Sequence, residues 1–200
     1  MKLPKFKYVY ADDFVLHRMR GKSVLHLGCA GGEKPSSCYH IEISEIANTI
    51  WGIDINSAGL NKVKEWLPED SNRVKYFHGN VENIHELNIN RKFEVIFIGS
   101  IIEHLSNPGL MLSGIADLLT SDGIVIIVTP HSFGLLQFLR VLLFRNESVI
   151  TEHTCWFSVS VLTELCSRYN LIPIEWHTGY VYRSPSLKVS FTRAIGVPFF

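Results

Sequence analysis

The chain lacks any charge imbalance: its 200 residues carry 19 Lys and Arg against 19 Asp and Glu. No whole-molecule field therefore draws it to a polyanion, and no nucleic acid partner is expected. It also lacks any run of about 18 apolar residues, the length a membrane-spanning helix needs. Its first residues, M-K-L-P-K-F-K-Y, include lysines but no apolar core of signal-peptide length. A soluble, cytoplasmic protein is the expectation. Cysteine is scarce. Cys29, Cys38, Cys155 and Cys166 have no metal-ligand spacing, so reduced thiols are expected and no metal ligand is assigned. Internal repeats, low-complexity tracts and an interdomain linker are all missing. With 46% hydrophobic and 19% charged residues, the composition suits one globular domain over residues 1–200.

What is present is an alternation of apolar runs and amphipathic stretches. Strands are predicted at Ser23–Leu27, Ile50–Ile55, Val74–His78, Phe93–Ile98 and Ile124–Thr129. A sixth is predicted at Leu171–Trp176, and a seventh at Ser186–Phe191 as an antiparallel edge. Helices are predicted at Tyr10–Arg20, Ser36–Asn48, Ala58–Trp66, Gly109–Leu119, Phe133–Phe144 and Ser160–Tyr169, with Ser121-Asp122-Gly123 as a turn. This order predicts an α/β fold, Rossmann-like, with a seven-stranded, mostly parallel sheet and helices on both faces. Residues 1–20 form an N-terminal helical segment, and residues 132–158 form a lid or acceptor-side insert. The Phe133–Phe144 helix is apolar nearly all round. It reads either as a lid or as a peripheral membrane contact, although the latter normally carries more Lys and Arg.

The most informative stretch is V-L-H-L-G-C-A-G-G, from Val24 to Gly32, read with Asp54 at the end of the second strand. A glycine loop after the first strand and a carboxylate at the tip of the second hold ribose-bearing ligands in doubly wound folds. The glycine spacing is not G-x-G-x-x-G, and Glu33 just past the loop suits a pyrophosphate poorly. No Lys-Ser or Lys-Thr pair follows it to make a P-loop. A phosphate-free nucleoside such as S-adenosylmethionine fits better.

These residues resemble the class I S-adenosylmethionine-dependent methyltransferases, in particular the UbiE/UbiG-like type 11/type 23 group, over about Gly21 to Ile174. V-L-H-L-G-C-A-G-G is similar to the first motif of that family and G-I-D-I-N to the second. H-G-N-V-E-N resembles the segment after strand three. F-E-V-I-F-I-G-S-I-I-E-H-L-S-N-P resembles strand four with an E-H-x-x-x-P turn. L-L-T-S-D-G-I-V-I-I-V-T-P-H resembles strand five, and E-H-T-C-W-F-S, Glu152 to Ser158, the segment before the last helix. The resemblance implies that Gly28, Cys29, Ala30, Gly31 and Gly32 cradle the cofactor. Asp54 would hold the ribose, Ile55, Asn80 and Val81 the adenine, and His26 would stand near the amino end, where the family has an acid. Ser100, Ile101, His104, His131 and His153 would line the acceptor side.

For methyl transfer to oxygen, His104, His131 and His153 are rival candidates for the base that takes the acceptor proton. Glu103 reads as a positioning acid, and positioning alone is the competing account of the rate. The implied activity is O-methylation of a small-molecule, sugar or lipid-linked glycan acceptor, with S-adenosylhomocysteine as product. A non-catalytic S-adenosylmethionine-binding module is the alternative. A nicotinamide-dependent enzyme is disfavoured by the glycine spacing.

Overall fold

The computed structural model describes residues 7–70, 72–132, 135–145 and 152–180. In chain order the elements are β1 (Lys7–Tyr10), α1 (Ala11–Met19), β2 (Ser23–Leu27), α2 (Tyr39–Ile46), β3 (Thr49–Asp54), α3 (Ser57–Trp66) and β4 (Val74–His78). There follow β5 (Phe93–Gly99), α4 (Pro108–Ala116), β6 (Leu119–Val128), α5 (Leu135–Phe144), α6 (Val159–Ser167) and β7 (His177–Tyr180). Three 3₁₀ turns, Pro35–Ser37, Val81–Leu87 and Ile102–His104, lie in the connections.

The main sheet has five strands in the order β4-β3-β2-β5-β6. Every pairing in it is parallel, with Leu27 opposite both Ile53 and Ile98. From β2 the chain winds outward through β3 and β4, then returns to the other side of β2 for β5 and β6. The strand order thus reverses between β2 and β5, and beyond their carboxyl ends lies the position at which open α/β sheets carry their ligand crevice.

Alternation along the strands divides the core in two. Leu25, Leu27, Ile53, Ile96 and Ile98 face Ile84, Ile102, Met111, Ile115 and Leu162, which belong to two 3₁₀ turns, α4 and α6. Val24, Ile50, Val74, Val95 and Phe97 face Val15 and Met19 of α1, Ile43 of α2, and Leu60 and Val63 of α3. Helix starts are fixed by local polar groups. Asn56 caps α3 by accepting from the Gly59 N–H at 3.0 Å, and Ser158 caps α6 by accepting from the Val161 N–H at 3.3 Å.

The sheet differs from the seven strands expected. Residues 171–176 make no strand. Pro173 has no N–H to give a ladder, and Ile172 and Ile174 stay exposed. The next four residues, β7, pair in parallel with β1 as a separate two-stranded sheet, with Tyr10 opposite Tyr180. The N-terminal segment therefore opens with a strand before its helix. The turn expected at Ser121–Gly123 falls inside β6. There the register passes from Phe93↔Leu119 to Val95↔Ile124, so the extra residues bulge without ending the strand. The strand expected at Ser186–Phe191 lies outside the described residues. Among those described, no helix is long and apolar enough to cross a membrane.

Phe97 is fully buried at the centre of the sheet, its ring against His26 and Tyr39. Phe97→Ala is expected to lower the unfolding free energy by about 3–5 kcal/mol, read from urea denaturation.

Candidate active site

The connection from β2 to α2 passes over the switch point in a conformation that needs glycine. Gly28 has φ +76°, and a Cβ there would lie 2.3 Å from the Ile101 side chain beyond β5. Gly32 has φ +111°, and a Cβ there would lie 2.8 Å from the Ser37 carbonyl. A Cβ on Gly31, by contrast, would meet nothing within 4 Å, so the loop backbone faces open space at that point.

Asp54, the last residue of β3, organises this loop. Its Oδ2 accepts the Ala30 N–H at 2.8 Å and its Oδ1 accepts the Asn56 N–H at 2.8 Å. A carboxylate offers about four lone-pair sites, so both oxygens keep acceptor capacity for a sugar diol. Ile55 beside it is 66% exposed, and its carbonyl lies 3.0 Å from His78 Nε2 at the end of β4.

The other expected cofactor residues are placed less uniformly. Asn80 uses its side-chain oxygen on the Glu82 N–H at 2.9 Å and its amide nitrogen on the Glu82 carboxylate at 3.3 Å. Val81 is buried. Ser100 adopts φ +53° just past β5 and donates its N–H to the Val128 carbonyl at 2.8 Å. Cys29 presents only backbone to the crevice. Its thiol is fully buried, and burial with the nearby Asp54 charge raises its pKa.

His26 is buried at the carboxyl end of β2. It lies beneath the loop, its Nδ1 3.3 Å from Nδ1 of His40 on α2 and its ring against Phe97. His40 is the residue that sequence reasoning missed. The inward spacing of 40, 43, 44 and 47 in the predicted helix was the available signal. Burial pushes the His40 imidazole down to about 3. It is therefore neutral, and the two rings meet as one N–H donor and one acceptor.

Beyond β5 the structure brings Glu103, His104 and His153 together. Glu103 is buried within the Ile102–His104 turn, its Oε2 accepting from Thr129 Oγ1 at 3.0 Å. Its carbonyl accepts the Thr154 N–H at 2.8 Å and the Cys155 N–H at 3.1 Å, and Thr154 Oγ1 donates to the Leu105 carbonyl at 2.6 Å. These bonds latch residues 152–155 onto the turn. The latch sets the His153 ring edge-on to His104, centroids 4.6 Å apart. His104 Nδ1–H donates to the Glu152 carbonyl at 3.2 Å, which fixes the tautomer and leaves Nε2 with a lone pair. His131 stands at the backbone bridge to Phe157, with partial burial lowering its imidazole pKa.

The family model described as "Methyltransferase domain" matches residues 9–175. The chain belongs to this family. It is a methyltransferase domain of the class I fold, with S-adenosylmethionine as its methyl donor. Two curated relatives are ubiquinone biosynthesis O-methyltransferases. The one from Glaesserella parasuis is 27% identical over 112 residues, 54% of this chain and 45% of the relative. The one from Nitrosospira multiformis is 29% identical over 112 residues, 56% and 44% respectively. The chain thus spans less than half the length of these relatives. Among solved structures, an S-adenosylmethionine-dependent methyltransferase from Mesorhizobium loti superposes with a TM-score of 0.57 at 12% identity, covering 80% of this chain and 78% of that one. Another from Clostridium acetobutylicum gives 0.52 at 17% identity, covering 64% and 52%.

The residues present fit that cofactor. Among the described residues nothing crowds the open side of Gly31, and Asp54 is fixed at the end of β3 with acceptor sites to spare, as a sugar diol would need.

For this methyltransferase, Asp54→Ala removes both charge-assisted bonds at once, at about 1.5–3 kcal/mol each. Isothermal titration with S-adenosylhomocysteine is expected to show at least ten- to a hundredfold weaker binding, with Asp54→Asn intermediate. A second expectation concerns acid stability. His40 titrates near 6.5 when unfolded and near 3 when folded, so the unfolded chain binds the extra proton between those values. Its contribution is present above pH 6.5 and is lost progressively as pH falls toward 3. Unfolding free energies of wild type and His40→Gln should therefore diverge in slope in that window, by about 1 kcal/mol per pH unit.

Proposed function

We propose that the domain methylates a hydroxyl oxygen of a small molecule bound beside His104. S-adenosylmethionine supplies an activated methyl group on a sulfonium, so the protein's task is to place the acceptor in line, exclude water and help the hydroxyl lose its proton. The observation that carries this reading is the fixed His104, whose Nδ1–H is committed to the Glu152 carbonyl while Nε2 keeps its lone pair. It lies in the turn beyond β5, three residues after Ile101, whose side chain packs against Gly28 of the glycine loop. The names of the curated relatives support oxygen over nitrogen as the acceptor atom.

Gly28, Cys29, Ala30, Gly31 and Gly32 offer backbone to the cofactor, and Asp54 its carboxylate. Ile55, Asn80, Val81 and Ser100 border the adenine and methionine sides. His131 and His153 flank the acceptor. His26 supports the loop from below, through His40.

The described parts of residues 132–158 are read as the lid of this single domain. Phe138, Leu142, Leu143 and Phe144 of α5 are exposed, a face suited to the apolar part of an acceptor. The same face favours docking on a lipid surface as a second reading. Sedimentation with neutral and anionic vesicles separates the two, since a lid leaves the protein in the supernatant.

The test is methyl transfer from labelled S-adenosylmethionine to a panel of phenols and glycans. Turnover on one acceptor class, with His104→Ala lowering kcat by about 10²–10⁴ and leaving cofactor affinity unchanged, is the expected result. Cofactor binding without turnover on any acceptor would point instead to a binding module.

A further inference from the structure

We propose that Glu103, His104 and His153 form a binding site for one divalent transition-metal ion of the zinc, manganese or iron type. The binding itself is independent of the methyl-transfer reading; its consequence for the acceptor rests on that reading.

One potential ligand atom from each of the three side chains lies within 4.8 Å of the other two. Metal–ligand bonds of about 2.0–2.2 Å place adjacent donors roughly 3–4 Å apart, so small rotations of the imidazoles close the set. Two imidazoles and one carboxylate suit these ions and do not suit magnesium or calcium, which favour oxygen ligands throughout.

Three further observations point the same way. Glu103 is 1% exposed, its Oε2 is held by a neutral hydroxyl, and no ion pair among the described residues includes it. A carboxylate withdrawn from water in this way is costly unless a positive charge sits beside it. His104 donates Nδ1–H to a backbone carbonyl, the outer-shell bond that orients most metal-bound histidines. His153 Nδ1 is buried with no hydrogen-bond partner. Among the described residues this nitrogen has no hydrogen bond, so ligation through the ring would break none at that atom. No local spacing announces the set in the sequence, because His153 arrives through the latch of Thr154 and Cys155 onto Glu103.

The location fixes the consequence. The three residues flank the crevice on the acceptor side, so a cation there would hold an acceptor through two neighbouring oxygens. Such a pair is found in a vicinal diol or in a hydroxyl beside a carbonyl. The ion would lower the pKa of the coordinated hydroxyl, whose proton would then leave to water, and the His104 Nε2 lone pair would serve the metal-bound form as a ligand in place of the base it offers without metal. The acceptor class selected is a chelating one.

The test uses the full chain, stripped with chelator and titrated with Co(II) by visible absorption and with Zn(II) by isothermal titration. One equivalent is expected to bind at micromolar affinity or tighter. Glu103→Gln, His104→Ala and His153→Ala should each weaken it at least tenfold, while S-adenosylhomocysteine affinity and circular dichroism show each variant folded. No saturable Co(II) or Zn(II) binding to the wild type, or equal affinity in all three variants, overturns the proposal. If metal binds as described but no acceptor is methylated, the functional reading fails and the site stands. If methyl transfer proceeds unchanged in chelator and metal does not bind, the site fails and the functional reading stands.

Discussion

Both oxygens of Asp54 accept backbone N–H groups, one from the glycine loop and one from the entry to α3. This pair of hydrogen bonds, with those from the Gly28 and Cys29 N–H groups to the Ile53 carbonyl, fixes the loop. It converts two adjacent loops, which would otherwise be separate flexible connections, into one surface at the tips of β2 and β3. Gly28 then has to turn with positive φ against Ile101, and Gly32 has to pass the Ser37 carbonyl closely. The parallel pairing of β2 with β3 and β5 supplies the frame, but it is the carboxylate that sets where the loops end up. A group that builds the site in this way is already partly desolvated and oriented before any ligand arrives, which lowers the ordering cost of binding.

The acceptor side is built by a different device. Its key residues lie in a turn after β5 and in a segment after α5, joined by backbone bonds from Thr154 and Cys155 to Glu103 and by the Thr154 hydroxyl to Leu105. The carbonyl of Glu103 does the joining while its carboxylate faces Thr129. One residue therefore anchors the lid segment by its main chain and shapes the site by its side chain. The glycine loop is thus held by the neighbouring strand end at Asp54, and the turn after β5 by a segment some fifty residues further along the chain.

That division explains what could be read in the sequence. Strands β2 and β4 have the bounds expected, β2 because its apolar run is buried between turn residues and β4 because its alternation suits an edge strand. The glycine loop and Asp54 were legible for the same reason: their chemistry is contained in short, contiguous motifs. Residues 171–176 were misread because apolar alternation outweighed Pro173. The pairing of β1 with β7 was invisible because it joins four-residue segments from opposite ends of the described chain. Of the acceptor histidines, sequence reasoning named His104 and His153 separately. Their meeting depends on a latch made by main-chain carbonyls, which no side-chain pattern records.

The paired imidazoles beneath the loop carry an evolutionary consequence. His26 and His40 meet nitrogen to nitrogen in the core, and Gly52 leaves room for His40 and Cys29 by having no side chain. An apolar residue at 26 would take from His40 Nδ1 the partner it has here. The two positions are therefore coupled in inheritance. Among descendants of this chain, an acid at 26 should come with a changed residue at 40, and divergence at Gly52 should wait until His40 or Cys29 has been replaced by something smaller.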